Sequence, residues 1–206
     1  MNVAILGSGS IGGNLGKLLA RAGHAVCFGS RDPARLEGLL EAAGNKTRAG
    51  SVAEAVESAD LVVEALPFAI TMELSPEHLA GKVLASSANY YPQRDGTIDL
   101  GGMTHTEALA QRLTKTRVVK AFNMLYYKEL EARLSGDAAQ DTAMLYAGDD
   151  SDAKRLVAQI IRDAGFVPID TGDLASGGLF QTDGPFYNRP LSESRTRRLL
   201  DELTGS

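Results

Sequence analysis

A chain of 206 residues suffices for one generous domain with a buried core, or for a domain with a small appendage. Its composition, 44% hydrophobic and 23% charged, is ordinary for a globular protein, and a formal charge of -5 argues against nucleic acid or an anionic membrane as the main partner. The single cysteine, Cys27, excludes an intrachain disulfide and reads as a small core residue. No apolar run approaches the ~18–20 residues of a membrane span. Met1 leads straight into an apolar segment without a basic region or cleavage site, so the expected setting is cytoplasmic.

In chain order, Asn2–Leu6 is a short apolar run, expected as a buried strand. Gly7-Ser8-Gly9-Ser10-Ile11-Gly12 then spells G-x-G-x-x-G, and Leu15, Leu18 and Leu19 follow at helical spacing. Behind a strand and ahead of a helix, these glycines have distinct physical tasks. Gly7 permits the tight turn, Gly9 lets backbone approach a pyrophosphate, and Gly12 lets helix pack on strand. The helix N-terminus adds free N–H donors and a positive dipole end, so the motif points to a dinucleotide.

A first helix over 11–21 is followed by a strand over 24–29. Asp32 and Pro33 look like the N-cap and first residue of a helix running to about Ala43. A short strand at 47–49 precedes the capping box Ser51–Glu54 and its helix. Further strands are expected at 61–66, 82–87, 117–122, 143–147 and 166–170. Residues 89–96 and 171–190 read as loops, Thr104–Glu107 as a second capping box, and 152–164 and 191–203 as helices. This alternation implies an α/β fold, a doubly wound, mostly parallel Rossmann-type sheet over residues 1–165 with a small C-terminal cap over 166–206.

In such a fold the residues after the second strand read the adenosine ribose, an acid favouring NAD and a cation NADP. Here Ser30 and Arg31 are followed by Arg35, a hydroxyl and two guanidinium forks suited to a phosphate dianion. Asp32 is assigned to helix capping, so NADP(H) is the expected cofactor. Ligands sit at the carboxyl ends of the strands, where the loops offer Leu66, Pro67, Phe68, Asn89, Tyr90, Tyr91, Ala121 and Asn123. The three histidines fit poorly: His24 falls at the wrong edge, and His78 and His105 at helix starts. Lys120 sits inside a strand. The motifs of a nucleophile elbow or a zinc cluster are missing. A reductase without an evident acid or base suits an acceptor that takes hydride directly, such as a flavin or deazaflavin.

GSGSIGGNLG, SRDPAR, EALPF, VVKAFN and GDLASGGLFQ together resemble the NADP oxidoreductases dependent on the deazaflavin coenzyme F420, over essentially the whole chain. The module is also similar to the cytosolic domain of membrane ferric reductases of the STEAP type. The resemblance implies that Gly7, Ser8, Gly9, Ser10, Ile11 and Gly12 form the pyrophosphate loop and that Ser30, Arg31 and Arg35 hold the 2′-phosphate. It implies that Leu66, Pro67 and Phe68 flank the cofactor, that Ala121 to Asn123 border the nicotinamide, and that the protein is a homodimer. Hydride transfer between apposed rings would need no side-chain acid or base, so no catalytic residue is assigned. Tyr90, Tyr91, Phe180, Phe186 and Tyr187 are expected to shape the side of the small-molecule acceptor. The arginines at 189, 195, 197 and 198 read as a solvated basic face. Two other readings stay open: an imine or hydroxy-acid reductase, and an NADP(H)-binding redox sensor without turnover.

Overall fold

The apolar runs assemble into an eight-stranded sheet in the computed structural model, which describes residues 1–205. The strands are β1 (Asn2–Leu6), β2 (Ala25–Gly29), β3 (Thr47–Gly50), β4 (Leu61–Glu64), β5 (Val83–Ser86), β6 (Arg117–Lys120), β7 (Ala143–Gly148) and β8 (Val167–Asp170). Their spatial order is β3-β2-β1-β4-β5-β6-β7-β8, parallel throughout except where β7 meets β6. The chain winds outward in both directions from β1 and β4. That reversal opens a crevice at their carboxyl ends.

Period-two alternation sends each strand's side chains to two separate cores. Val3 and Ile5 of β1 register with Leu61 and Val63 of β4 and join a core closed by α1 (Ser10–Arg21) and, later in the chain, α9 (Ser151–Asp163). Ala4, Leu6, Val62 and Leu84 belong to the other core. That side is covered by α3 (Val52–Glu57), α5 (Pro76–Leu79) and α7 (His105–Arg112). Between these lie α2 (Glu37–Ala43), the one-turn helices α4 (Phe68–Thr71) and α6 (Pro92–Asp95), and α8 (Tyr127–Ser135). Both expected capping boxes form, Ser51 with Glu54 and Thr104 with Glu107.

Three strands stop two residues or one residue short of the expected ends, and each stop has a local cause. β4 ends at Glu64 because the Leu66 amide turns back to that residue's own carboxylate, at 2.7 Å, instead of extending the ladder. β6 ends at Lys120 because Phe122 takes a left-handed backbone, φ 65°. β5 ends at Ser86, whose hydroxyl bonds Glu64 at 2.8 Å. The loops at the crevice therefore start lower than the apolar pattern implies. Two stretches expected as loops carry a helical turn, α4 and α6. Pro92 opens α6 at the position where its missing N–H is harmless, and Asp95 ties α6 back through the Tyr91 amide at 2.9 Å.

Asp32 does not cap a helix. Pro33–Leu36 form a 3-10 turn without a side-chain cap bond, and the Asp32 carboxylate instead pairs with Arg35 at 2.9 Å. Beyond residue 165, β8 hydrogen-bonds to β7 as part of the sheet. A 3-10 turn at Leu174–Phe180 and helix α10 (Glu193–Thr204) follow, the latter anchored by a bridge between Thr142 and Ser192. No helix of the described residues is long and apolar enough to cross a membrane.

The α1–sheet contact leaves no space for side chains at two of its glycines. A Cβ on Gly12 would lie 1.8 Å from the Gly7 carbonyl oxygen, and one on Gly16 would lie 2.3 Å from the buried Phe28 ring. Gly16→Ala is expected to cost about 1–3 kcal/mol through overpacking. A calorimetric melt should show a Tm lower by roughly 3–10 °C for a chain of this size.

Candidate functional site

The loops after β1, β4, β5 and β6 converge above the β1/β4 reversal and bound two clefts that meet at Leu66. The first cleft, about 300 Å³, is lined by Gly9, Ser10, Ile11, Leu66, Pro67, Ser87, Asn89, Phe122 and Asn123, and is completed by Tyr91, Arg94, Leu125, Tyr126, Tyr127, Tyr187 and Asn188. The second, about 370 Å³, is lined by Gly7, Ser8, Gly29, Ser30, Arg31, Ile70 and Glu73 among others. Together they run from Arg31 to Asn123 across the glycine turn.

The glycine turn is built by contact. Gly7 has φ +104°, and a Cβ there would lie 2.4 Å from the Ala65 carbonyl oxygen, so only glycine can leave β1 here. Gly9, by contrast, faces open space, with nothing within 4 Å of where a Cβ would stand. It is also the N-cap of α1, without a side-chain cap bond and without an acid in the first turn. The first-turn N–H groups and dipole end of a 12-residue helix thus stay available where the clefts join.

At the second cleft, Arg31 is the one cation in the lining. Arg35 is engaged with Asp32, and neither lines the cleft. Ser30 Oγ accepts from the Asp32 amide at 3.0 Å. The acid whose spacing would suit an NAD ribose is thereby occupied, and the guanidinium that remains suits a phosphate.

At the first cleft, two asparagines lock each other. Asn123 Nδ2 donates to Asn89 Oδ1 at 3.1 Å and to the Phe180 carbonyl at 2.8 Å, while Asn89 Nδ2 donates to the Asn123 carbonyl at 2.8 Å. Both donor hydrogens of Asn123 are used, which fixes its orientation and leaves Oδ1 buried without a partner; Ser87 Oγ is orphaned in the same way. An unsatisfied buried polar atom costs ~1–3 kcal/mol, and both of these belong to residues that line the first cleft. The left-handed Phe122 and Asn188 backbones, φ 65° and 53°, flank the same cleft. Such strain concentrates at binding sites. These residues fit a nicotinamide, whose carboxamide supplies a donor and an acceptor.

Among the described residues the first cleft is lined by no Asp, Glu, His, Lys or Cys, and no group of three or more such side chains could hold a metal. Its ionisable side chains are Arg94 and four tyrosines. The Tyr91 and Tyr187 hydroxyls bond each other, and burial together with that bond pushes the Tyr187 hydroxyl's pKa up. Arg94 lies 4.8 Å over the Tyr91 ring and donates to the Asn89 carbonyl at 2.7 Å. The histidines stay outside both clefts. His105 is packed against Phe68 and Tyr90, at ring separations of 5.6 and 5.8 Å, and takes the Tyr90 amide hydrogen on Nδ1 at 3.3 Å. Burial, with the Lys120 charge nearby, pushes its pKa down to about 4.

Residues 2–90 match the family described as NADP oxidoreductase, coenzyme F420-dependent. The chain is also 33% identical over 177 residues to metalloreductase STEAP3 of Rattus norvegicus, a match that takes in 84% of this chain and 34% of that protein. The chain thus spans about a third of that relative's length. Two solved structures have the same fold over nearly their whole lengths. A hypothetical protein from Sinorhizobium meliloti is 30% identical with TM-score 0.77, covering 94% of this chain and 96% of that one. A putative F420-dependent NADP-reductase from Arthrobacter sp. FB24 is 25% identical with TM-score 0.71, covering 98% and 91%.

The fold brings together most of the site residues expected from the sequence. Gly7 to Ile11, Ser30, Arg31, Leu66, Pro67, Asn89 and Asn123 line the two clefts. Gly12, Arg35, Phe68 and Ala121 do not. Gly12 packs on the turn, Phe68 is 1% exposed beneath Tyr90, and Ala121 lies in the core. Phe180 and Phe186 are fully buried supports, while Tyr187 and Asn188 reach the cleft. Ser87, Arg94, Tyr126 and Tyr127 escaped sequence reasoning. Ser87 had a signal, its place at the carboxyl end of β5; the other three depend on how distant loops fold together.

Asn123→Ala should strand the Phe180 carbonyl and Asn89 Oδ1 in a buried place, at a cost of about 2–4 kcal/mol. Urea unfolding should show this as a lowered midpoint with an unchanged slope.

Proposed function

We propose that this protein binds NADPH across the two joined clefts and passes hydride from the nicotinamide directly to a planar, flavin-like acceptor, a deazaflavin such as coenzyme F420 or a flavin. The observation that carries the reading is the first cleft itself. It combines orphaned amide and hydroxyl oxygens, suited to a carboxamide, with four tyrosines and no carboxylate, imidazole, amine or thiol among the described residues. Bound NADPH supplies the hydride. The chain's own residues orient and enclose: Ser87 and Asn123 meet the carboxamide, the Gly9–Ile11 turn the pyrophosphate, and Ser30 and Arg31 the 2′-phosphate. Tyr126 and Tyr127, their ring centroids 4.5 Å apart and their planes 59° apart, add aromatic surface at the cleft for a flat ring to pack against.

A second reading has one observation in its favour. The bonded Tyr91 and Tyr187 hydroxyls could deliver a proton to a small imine or carbonyl as hydride arrives, which would make the protein an imine-type reductase.

The direct experiment mixes enzyme and NADPH anaerobically with oxidised coenzyme F420, FMN, FAD or a small cyclic imine, and follows absorbance. The proposal expects turnover with a flavin-like ring, and turnover confined to the imine would replace it by the second reading. Binding without turnover on any acceptor would leave a sensor. Arg31→Ala separately tests the cofactor end. It should weaken NADPH by roughly 10–100-fold through a lost charge-assisted contact and leave NADH within about twofold, measured by titration calorimetry. Equal losses would show that Arg31 does not read the 2′-phosphate.

A further inference from the structure

Three registered positions at the carboxyl edge of the sheet carry polar side chains that hydride transfer does not use. Glu64 of β4 registers with Ser86 of β5, and Ser86 with Lys120 of β6, so the three lie side by side on one face. Glu64 and Lys120 are 0% exposed and Ser86 is 2% exposed. Glu64 is well provided with donors: the Ser86 hydroxyl at 2.8 Å, the Leu66 amide at 2.7 Å and the Thr71 hydroxyl at 2.7 Å. Lys120 is not. Its Nζ reaches Thr106 Oγ1 at 3.1 Å, with the Phe180 ring 6.0 Å away, although an ammonium has three hydrogens to place. Gly177 presses the 3-10 turn against the lysine, since a Cβ there would stand 2.7 Å from Lys120 Cδ.

Packing does not account for this row, because ions buried in a sheet core cost more than apolar side chains of the same size. Its connections lead to the cofactor site. Glu64 holds the amide of Leu66, the residue common to both clefts, and Lys120 leads directly into Ala121-Phe122-Asn123. We propose that the buried Glu64–Lys120 pair sets the site's preference between the oxidised and reduced nicotinamide, by presenting either a compensated pair or a lone negative charge beneath the crevice. This rests on the reading that the nicotinamide occupies the Ser87–Asn123 cleft.

The electrostatics follow from charge alone. The oxidised ring is positive and the reduced ring neutral, so a net negative charge below favours the oxidised form and a compensated pair favours neither. Burial pushes the Lys120 pKa down to about 7 against the pull of Glu64, and burial pushes Glu64 up against its hydrogen bonds. Loss of one proton from these two buried groups takes their summed charge from zero to minus one as pH rises through this range. The other groups around Lys120 keep their charge there. His105 on α7 is neutral, and Asp95 on α6, despite burial, is held low by bonds from Arg94 and from the Tyr91 and Ala69 amides. β7 presents Ala147, α4 presents Thr71, and the 3-10 turn presents Gly177 and Phe180.

The test measures Kd for NADP+ and for NADPH by titration calorimetry from about pH 6 to about pH 8.5. The 2′-phosphate titrates alike in both and cancels in their ratio. In the wild type, Kd(NADP+)/Kd(NADPH) should fall about fivefold as pH rises. Glu64→Gln removes the charge that holds the Lys120 pKa up, so the step should move to lower pH. Thr71→Val, which removes a bond to Glu64 without changing charge, should keep the step even if both affinities drop. Lys120→Met removes one seat of the shared proton and should move the step to lower pH, which provides a reading if Glu64→Gln does not fold. A flat wild-type ratio with both forms bound overturns the inference, as does a step left unmoved by Glu64→Gln or by Lys120→Met. A wild type that binds neither form overturns the dinucleotide reading and the inference with it.

Discussion

The structure depends on the approach of α1 to the end of β1, a contact so close that Gly12 lies against the Gly7 carbonyl. Any side chain at either position would lift the helix or redirect the chain as it leaves the strand. The consequence is positional. With the helix seated, its uncapped first turn stands over the β1/β4 reversal, the one place where a parallel sheet leaves a crevice uncovered. Gly16 against Phe28 continues the same contact one turn on, so the helix is held along its length. Packing and recognition are here the same constraint. The glycines that let the core close are those that put backbone donors at the crevice.

Polar groups near the crevice are almost all committed to one another, and the exceptions define the site. Asp32 is taken by Arg35, Asp95 by Arg94, and Asn89 and Asn123 hold each other. Of the four buried polar side-chain atoms without a partner among the described residues, two, Ser87 Oγ and Asn123 Oδ1, belong to residues lining one cleft, and Arg31 is the one cation lining the other. A site pre-organised in this way loses little freedom when a ligand arrives, because the partners that hold each group already fix its rotamer.

The fold was legible because it is written in local patterns. Apolar runs alternating with capped helical segments predict the strands, and G-x-G-x-x-G between a strand and a helix predicts the turn. Where the reading slipped, a longer-range contact had overridden a local preference. Asp32 before Pro33 has the look of an N-cap, but Arg35 one turn on offers its carboxylate a stronger partner than a backbone amide. Leu66 and Phe122 prolong apolar runs, yet the Glu64 carboxylate and a left-handed backbone end those strands earlier. Phe68 is apolar and adjacent to the cleft, and the ring of His105, distant in sequence, draws it inward. The buried row at Glu64, Ser86 and Lys120 could not be read at all. Each member looks like an ordinary strand residue until the register puts the three side by side.

The two ends of the site differ in how they are encoded, and this explains why the cofactor is more legible than the acceptor. The cleft beside Arg31 is made chiefly by three short segments following β1, β2 and β4, and all lie within the stretch that matches the family, residues 2–90. The other cleft takes Arg94, Phe122–Asn123, Leu125–Tyr127 and Tyr187–Asn188 from beyond that stretch. Those segments are joined by contacts such as the Asn123 bond to the Phe180 carbonyl and the Asn188 amide bond to the Met124 carbonyl at 2.7 Å. No spacing rule connects such residues, so their chemistry emerges only on folding. A change in one of these loops can therefore reshape the first cleft while the glycine turn and Arg31 stay as they are.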